Sequence, residues 1–410
     1  MIDQHRQKKE SLALAAGGSR NFETETDVSL GAFNSNVKTQ NLPNRRVTGD
    51  KKRHLLEYNT KFVDTFEKYQ TFTLTKWKLQ EEARRLVGGR LNACHRIPYQ
   101  KNGRANLYYS QATERAFWHG LITCGRVWLC PVCSIKISSR RLQEIKIALD
   151  DDKTQWMMMT FTLQHHKGDR LKILIEDLNA SIRKLYQSRV WKNIKKEYGL
   201  IGGISGFEIR YSERSGWHPH RHVIFAFERN KAIDAQIASD IRLQVQGVIF
   251  KELEKRGYKT VSGVTVKESQ QRNDAYITKI ANEITLGQDK ETRGSSYSPF
   301  QLLELSKQGE TWAGEAFKEY AKATKAKQFI RWSPKLKGHF HVQEMTDIQI
   351  ASKKQDDDAR LVTSISTDSE LWKTIRKRHL QGYVSVITAG VKGNTKAVET
   401  YLDSLTDDIK

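Results

Sequence analysis

The chain has 410 residues, 38% of them hydrophobic, enough to bury a sizeable core, and a length of this order predicts two or three domains. Its 69 Lys and Arg against 47 Asp and Glu leave a formal charge of +22, spread along most of the length, which points to a polyanionic partner and is far more than solubility requires. No apolar run approaches the ~18 residues of a membrane span and the first twenty residues lack a signal peptide's order of charged then apolar segments, so the expectation is a cytoplasmic protein with reduced thiols.

Residues 1–50 are rich in Asn, Ser, Thr and Gly with no sustained apolar period, and read as a flexible arm. From residue 51, apolar residues recur at helical spacing, predicting one or two amphipathic helices that lead into a cysteine region ending near residue 141. The four cysteines are Cys94, Cys124, Cys130 and Cys133, the last three spaced C-x5-C-x2-C. Two thiolates on the tight CPVC turn can share one tetrahedral ion that the other cysteines complete, so the cluster predicts a structural Zn²⁺ site, with His95 and His119 as alternate ligands. Arg126, Arg140 and Arg141 surround it and are candidate DNA contacts.

A regular succession follows. WMMMTFTL (156–163) reads as a strand, 171–198 as a helix with Leu171, Leu174, Ile175, Leu178, Ile182 and Leu185 on one face, and SGFEIRYS (205–212) as a second strand. After the turn SERSG comes GWHPHRHVIFAF (216–227), then a helix over 232–256, a strand around 262–268 and a helix over 274–286. The order βαββαβ predicts a split, ferredoxin-like α+β core over 151–290: one antiparallel sheet, helices on one face, the other face open. Helices near 300–305 and 312–325 follow. The end, LWKTIRKRHLQGYVSVITAGVKGNTKAVETYLDSL, reads as helix, strand, helix, a small module within a 291–410 extension. No stretch satisfies GxxxxGK[ST], GVKGNTK included, which argues against an intrinsic ATPase or helicase.

Strand alternation sends Val223, Phe225 and Phe227 to the helix side and His220 and His222 to the other. The same rule puts Phe207, Ile209 and Tyr211 inward and Glu208 and Arg210 with the histidines. Two imidazoles and a carboxylate form a plausible shell for Mg²⁺ or Mn²⁺, with positions left for water and a substrate oxygen. His218, before Pro219, flanks the set. In the predicted helix 274–286, Tyr276, Lys279 and Glu283 share one side, offering a phenolic nucleophile and a cation that favours its ionised form.

HPHRHVIFAF, YITK and the strand TFTLQHH together resemble the three ordered motifs of the HUH endonucleases, specifically the rolling-circle plasmid replication initiators, and CGRVWLCPVCSIKISSRR, SPFQLL and EYAKATKAKQFIRWSPKL resemble flanking segments of the same family. The resemblance spans roughly residues 94–336. It implies that His220 and His222 bind the metal, that Tyr276 is the nucleophile with Lys279 as its partner, and that Thr160 and Thr162 lie near the DNA. It further implies nicking of one origin strand, with single-stranded DNA at the nick and duplex nearby, and a host helicase and DNA polymerase as partners. Two features depart from the pattern: Arg221 replaces the usual bulky hydrophobe between the histidines, and Arg272 stands where many members carry a carboxylate before the tyrosine. Asp274, Glu268 or Glu283 could take over that carboxylate's part in ending the reaction. Two rivals are a transposase with the same chemistry and a zinc-dependent DNA-binding regulator whose histidine strand is only structural.

Overall fold

The computed structural model describes residues 51–231, 233–259, 264–268 and 296–407, with side-chain surroundings from residue 67 onward and not for 264–268. The expected arm and the helix carrying Asp274, Tyr276, Lys279 and Glu283 lie outside the described residues. The fold is mixed α+β, built on antiparallel sheets with helices packed against them.

The first described element is a long helix, α1 (Lys51–Val87), followed by the hairpin β1 (Arg104–Ser110) and β2 (Arg115–His119) and then α2 (Pro131–Leu149). The hairpin was not anticipated, although Ala105, Leu107 and Tyr109 alternate inward along β1. Next come β3 (Thr154–Phe161), α3 (Leu171–Gln187), α4 (Arg189–Tyr198), β4 (Leu200–Ser212), β5 (Gly216–Glu228), α5 (Ala235–Glu254) and β6 (Val264–Glu268). These four strands lie side by side in the order β6-β3-β5-β4, every neighbouring pair antiparallel. The strand β7 (Ser296–Tyr297) extends that sheet beyond β4. The chain continues through α6 (Pro299–Lys307), α7 (Thr311–Ala323), β8 (Ile330–Trp332), which also pairs with β4, α8 (Leu336–His339) and α9 (Asp347–Ser352). It closes with β9 (Arg360–Ser366), α10 (Glu370–Lys377), α11 (Gln381–Gly390) and α12 (Thr395–Asp407).

The predicted 171–198 helix is two helices. The backbone leaves the helix at Ser188, whose hydroxyl accepts from the Trp191 N–H and so starts α4, a cap of the kind that stabilises by about 1 kcal/mol. All six predicted apolar positions of α3 are buried, and they meet Met157, Met159, Phe161, Val223, Phe225 and Phe227 from the sheet in one large core. Each such side chain contributes roughly 1.5–3 kcal/mol by leaving water.

The other face is only partly open, which corrects the expectation. Trp156, Met158, Ile204, Ile224 and Ala226 point that way and are covered by Leu142, Ile145, Ala148 and Leu149 of α2 together with Leu336, Phe340 and Val342. The run VIFAF is apolar at every position because it is buried on both sides. The end of the face that bears the histidines is where this cover stops being apolar.

A second core joins distant parts of the chain. The strand β9 pairs with β1, giving the order β2-β1-β9, and Leu107, Trp118, Val362, Ile365, Trp372, Ile375, Val384, Val398 and Leu402 pack together beneath it. YVSVITAG, expected as a strand, is helix α11. Its Val384, Val386 and Ala389 are buried, and Gly382 lies so close to Trp77 that an added Cβ would stand 2.6 Å from Cδ1 of the indole. Tertiary packing here overrides the β-branched composition.

Candidate active site

The β4–β5 hairpin is held in register by thirteen-residue strands closed at Gly216, whose φ of 77° suits glycine. That register sets Glu208 opposite His220, Gly206 opposite His222 and Arg210 opposite His218, while β3 sets Thr160 opposite His222. Glu208, His220 and His222 thus come together as the sequence predicts, each offering a ligand atom within 4.8 Å of the others. His222 Nε2 is 3.0 Å from Glu208 Oε2, and His220 Nδ1 is 3.7 Å from the same oxygen. Ligands in adjacent positions around Mg²⁺ stand about 3 Å apart, so the set fits a small divalent cation.

Around this triad the structure supplies groups whose roles the sequence did not give. Thr160 Oγ1 lies 2.9 Å from His222 Nδ1, which leaves Nε2 turned toward Glu208. Arg210 donates to Glu208 Oε1 through Nε at 2.9 Å and Nη2 at 2.5 Å, leaving Oε2 to face the imidazoles. Burial would raise the Glu208 carboxyl, but the imidazoles of His220 and His222 and the Arg210 guanidinium hold it well below the usual carboxylate range. It is therefore anionic at any physiological pH. His218 Nε2 stands 2.9 Å from His220 Nε2 and 3.3 Å from Thr162 Oγ1, and its ring lies 4.3 Å from that of His165, tilted by 35°. Burial, then the neighbouring His220, pulls His218 down to about 3, so it is a neutral flank. The i, i+2 spacing of Glu208 and Arg210 carried the signal for their pairing; the Thr160 contact, between strands 62 residues apart, had none.

Arg221, opposite Phe207 in the ladder, lies on the helix side of the sheet. It bonds Asn179 Oδ1 at 3.1 Å and Ser205 Oγ at 2.7 Å and lies 4.5 Å over the Phe207 ring, with burial pulling its guanidinium down to about 10. It substitutes for a hydrophobe by packing its stem and satisfying its head. Glu268 sits in β6 opposite Met157, three residues along from Thr265, which pairs with Thr160. That places its backbone roughly 10 Å along the strand from the histidine level.

The four cysteines converge. Cys94 Sγ is 3.9 Å from Cys130 and 3.6 Å from Cys133, Cys124 is 3.7 Å from Cys133, and all four are buried. Four sulfurs around a zinc at about 2.3 Å stand about 3.8 Å apart, so these separations are those of a tetrahedral thiolate site. Cys130 caps α2 by accepting from the Cys133 N–H; against burial, hydrogen bonds from the other three cysteines and that N–H hold its thiol well below the ordinary value. Gln80 from α1 donates to Cys130 Sγ at 3.1 Å and Arg84 to the Cys94 carbonyl, contacts no sequence pattern announced. His95 Nδ1 lies 3.2 Å from Cys94 Sγ, beside the set, while His119 pairs across the β1–β2 hairpin with Asn106.

Of the arginines near the cysteines, Arg126 is exposed and Arg140 half-buried. Arg141 is buried, and its charge is taken by Glu144 at 2.9 Å and Asp347 at 2.6 Å. It ties α2 to α9 rather than presenting a cation to solvent.

An antiparallel sheet with a histidine–carboxylate triad and a four-cysteine cluster thus occur together in a basic chain. A family model described as replication protein matches residues 117–380. The chain belongs to this replication-protein family and, with it, to the plasmid rolling-circle initiators that its motifs resemble. Among relatives, "Protein rep" of Streptomyces lividans is 23% identical over 357 residues, 67% of this chain and 77% of that one. "Protein rep" of Bacillus amyloliquefaciens is 31% identical over 110 residues, 26% of this chain and 31% of that one. "Neomycin resistance protein" of Streptomyces cyanogenus is 33% identical over 132 residues, 26% of this chain and 30% of that one, so these two matches span about a third of each relative. No solved structure matches.

Proposed function

We propose that this initiator nicks one strand at a plasmid double-strand origin through an HUH-type, ferredoxin-like core. The observation that carries the proposal is the convergence of Glu208, His220 and His222 on one sheet face. The strand order β6-β3-β5-β4, with helices filling both βαβ crossovers, supports it as the order expected of the split βαβ arrangement. Glu208, His220 and His222 would hold Mg²⁺ or Mn²⁺, which when bound supplies Lewis-acid polarisation of a phosphate oxygen. Thr160 and Arg210 hold two of these side chains in orientation. Tyr276, with Lys279 favouring its phenolate, attacks the scissile phosphorus; the bond to the 3′ oxygen breaks, a 5′-phosphotyrosine forms, and the 3′ oxygen takes up a proton to become the primer end. Thr162 lies beside the same face, suited to the flanking single strand. Cys94, Cys124, Cys130 and Cys133 would hold Zn²⁺ as a structural tie between α1 and α2.

Strand separation and synthesis then fall to a host helicase and DNA polymerase, and the setting is the cytoplasm; no helix among the described residues is long and apolar enough to cross a membrane. The test is incubation with supercoiled plasmid bearing the origin and Mg²⁺. Conversion to open circle by the wild type and not by His220→Ala/His222→Ala supports the reading. Equal conversion by the double variant refutes it.

A further inference from the structure

The histidine face accounts for the nicked strand but not for how the flanking duplex is held, and the second core carries a surface suited to it. Around α10, Lys373, Arg376, Lys377 and Arg378 are exposed, while Trp372, Thr374 and Ile375 are buried beneath them. The segment that leaves the cysteine cluster is fastened against this helix and the start of α11: the Trp372 indole donates to the Arg96 carbonyl at 3.2 Å, Arg96 Nη2 donates to the Arg376 carbonyl at 3.2 Å, and Gln381 of α11 donates to the His95 carbonyl at 3.3 Å. This brings Arg96 to the same surface, and Ile97 and Tyr99, 43% and 58% exposed, and exposed Lys101 follow it in the chain. Glu370 pairs with Lys373 at 2.6 Å, but no described acid pairs with Arg376 or Lys377. One or two cations at a helix C-terminus are what the macrodipole favours. Arg96 adds a further cation beside them, and after burial it is the repulsion from Arg376 that lowers it.

We propose that α10, the turn after it and the segment 96–101 form the surface that grips duplex origin DNA by its phosphate backbone. The proposal rests on the nicking reading and adds to it the place where the duplex docks. The helix α10 is the contacting element rather than α11, the second helix of the pair, because α11 exposes little beyond Tyr383 and Gly390. Fastening of the basic segment directly after Cys94 gives the cysteine cluster a part in the contact: it fixes where residues 95–101 leave the core.

The experiment compares Arg376→Gln/Lys377→Gln with Lys192→Gln/Lys195→Gln, the latter on the exposed basic face of α4. Two assays are run on the full chain: duplex origin binding across a salt series, and Mg²⁺-dependent cleavage of a short single-stranded oligonucleotide containing the nick site. The α10 variant is expected to weaken duplex binding and to flatten the plot of log affinity against log salt by about 2, one per lost phosphate contact, with oligonucleotide cleavage unchanged. The α4 variant is expected to keep the wild-type slope. An unchanged slope in the α10 variant, an equal change in the α4 variant, or loss of oligonucleotide cleavage along with duplex binding would overturn the docking surface. Failure of wild-type protein to cleave the oligonucleotide would instead sink the nicking reading, with duplex binding still measurable.

Discussion

At the residue scale the site depends on a few atoms. Thr160→Val keeps the shape of the side chain and removes the hydrogen bond to His222 Nδ1. Partners behind a metal ligand are commonly worth about 10–100-fold in metal affinity, so Mn²⁺ titration of this variant should show a loss of that order; unaltered affinity would remove Thr160 from the site. Termination gives a second prediction. Glu268 lies roughly 10 Å along β6 from the histidine level, and a base must be within hydrogen-bond reach of the attacking water. Glu268→Gln should therefore nick and release normally, whereas Asp274→Asn or Glu283→Gln should nick once and accumulate covalent complexes on origin DNA. Normal release by all three would assign the step to another tyrosine or a second subunit.

At the element scale, the cysteine cluster joins α1, the turn before Cys94 and the start of α2. Elemental analysis should find about one zinc per chain, retained in the His220→Ala/His222→Ala variant and lost with Cys130→Ser/Cys133→Ser, which should also melt at lower temperature. Zinc-free wild-type protein would contradict this. Gly382→Ala should cost about 1–3 kcal/mol in denaturant unfolding, because the new methyl meets Trp77; an unchanged midpoint would show that α11 can shift. These two sites also mark what was legible. The hairpin with Glu208, His220 and His222 could be read because strand alternation is a local rule, and Cys124, Cys130 and Cys133 because their spacing is local. The α11 helix could not, since a valine-rich segment becomes helical only through contacts with Trp77 and Trp118, about 300 and 260 residues upstream. The partial cover on the histidine face was equally remote: α2 reaches it from before β3, and the 336–342 segment from beyond β8.

At the scale of the whole molecule, one core supports the histidine sheet and the cysteine cluster, and a second joins β1 and β2 to the C-terminal strand and helices. The +22 charge is spread along most of the sequence rather than gathered in a tail. This division suits the proposed nicking of one strand on the sheet with duplex held elsewhere. The central claim is that the sheet brings the Glu208, His220 and His222 site to a strand attacked by Tyr276, and the most direct measurement is recovery of the covalent intermediate. Protein incubated with Mg²⁺ and an origin oligonucleotide labelled on the 3′ side of the nick should acquire the label. Peptide mass mapping should place the nucleotide adduct on Tyr276, and Tyr276→Phe should bind the DNA without acquiring label. An adduct on another residue, or persistent labelling of the phenylalanine variant, would contradict the account.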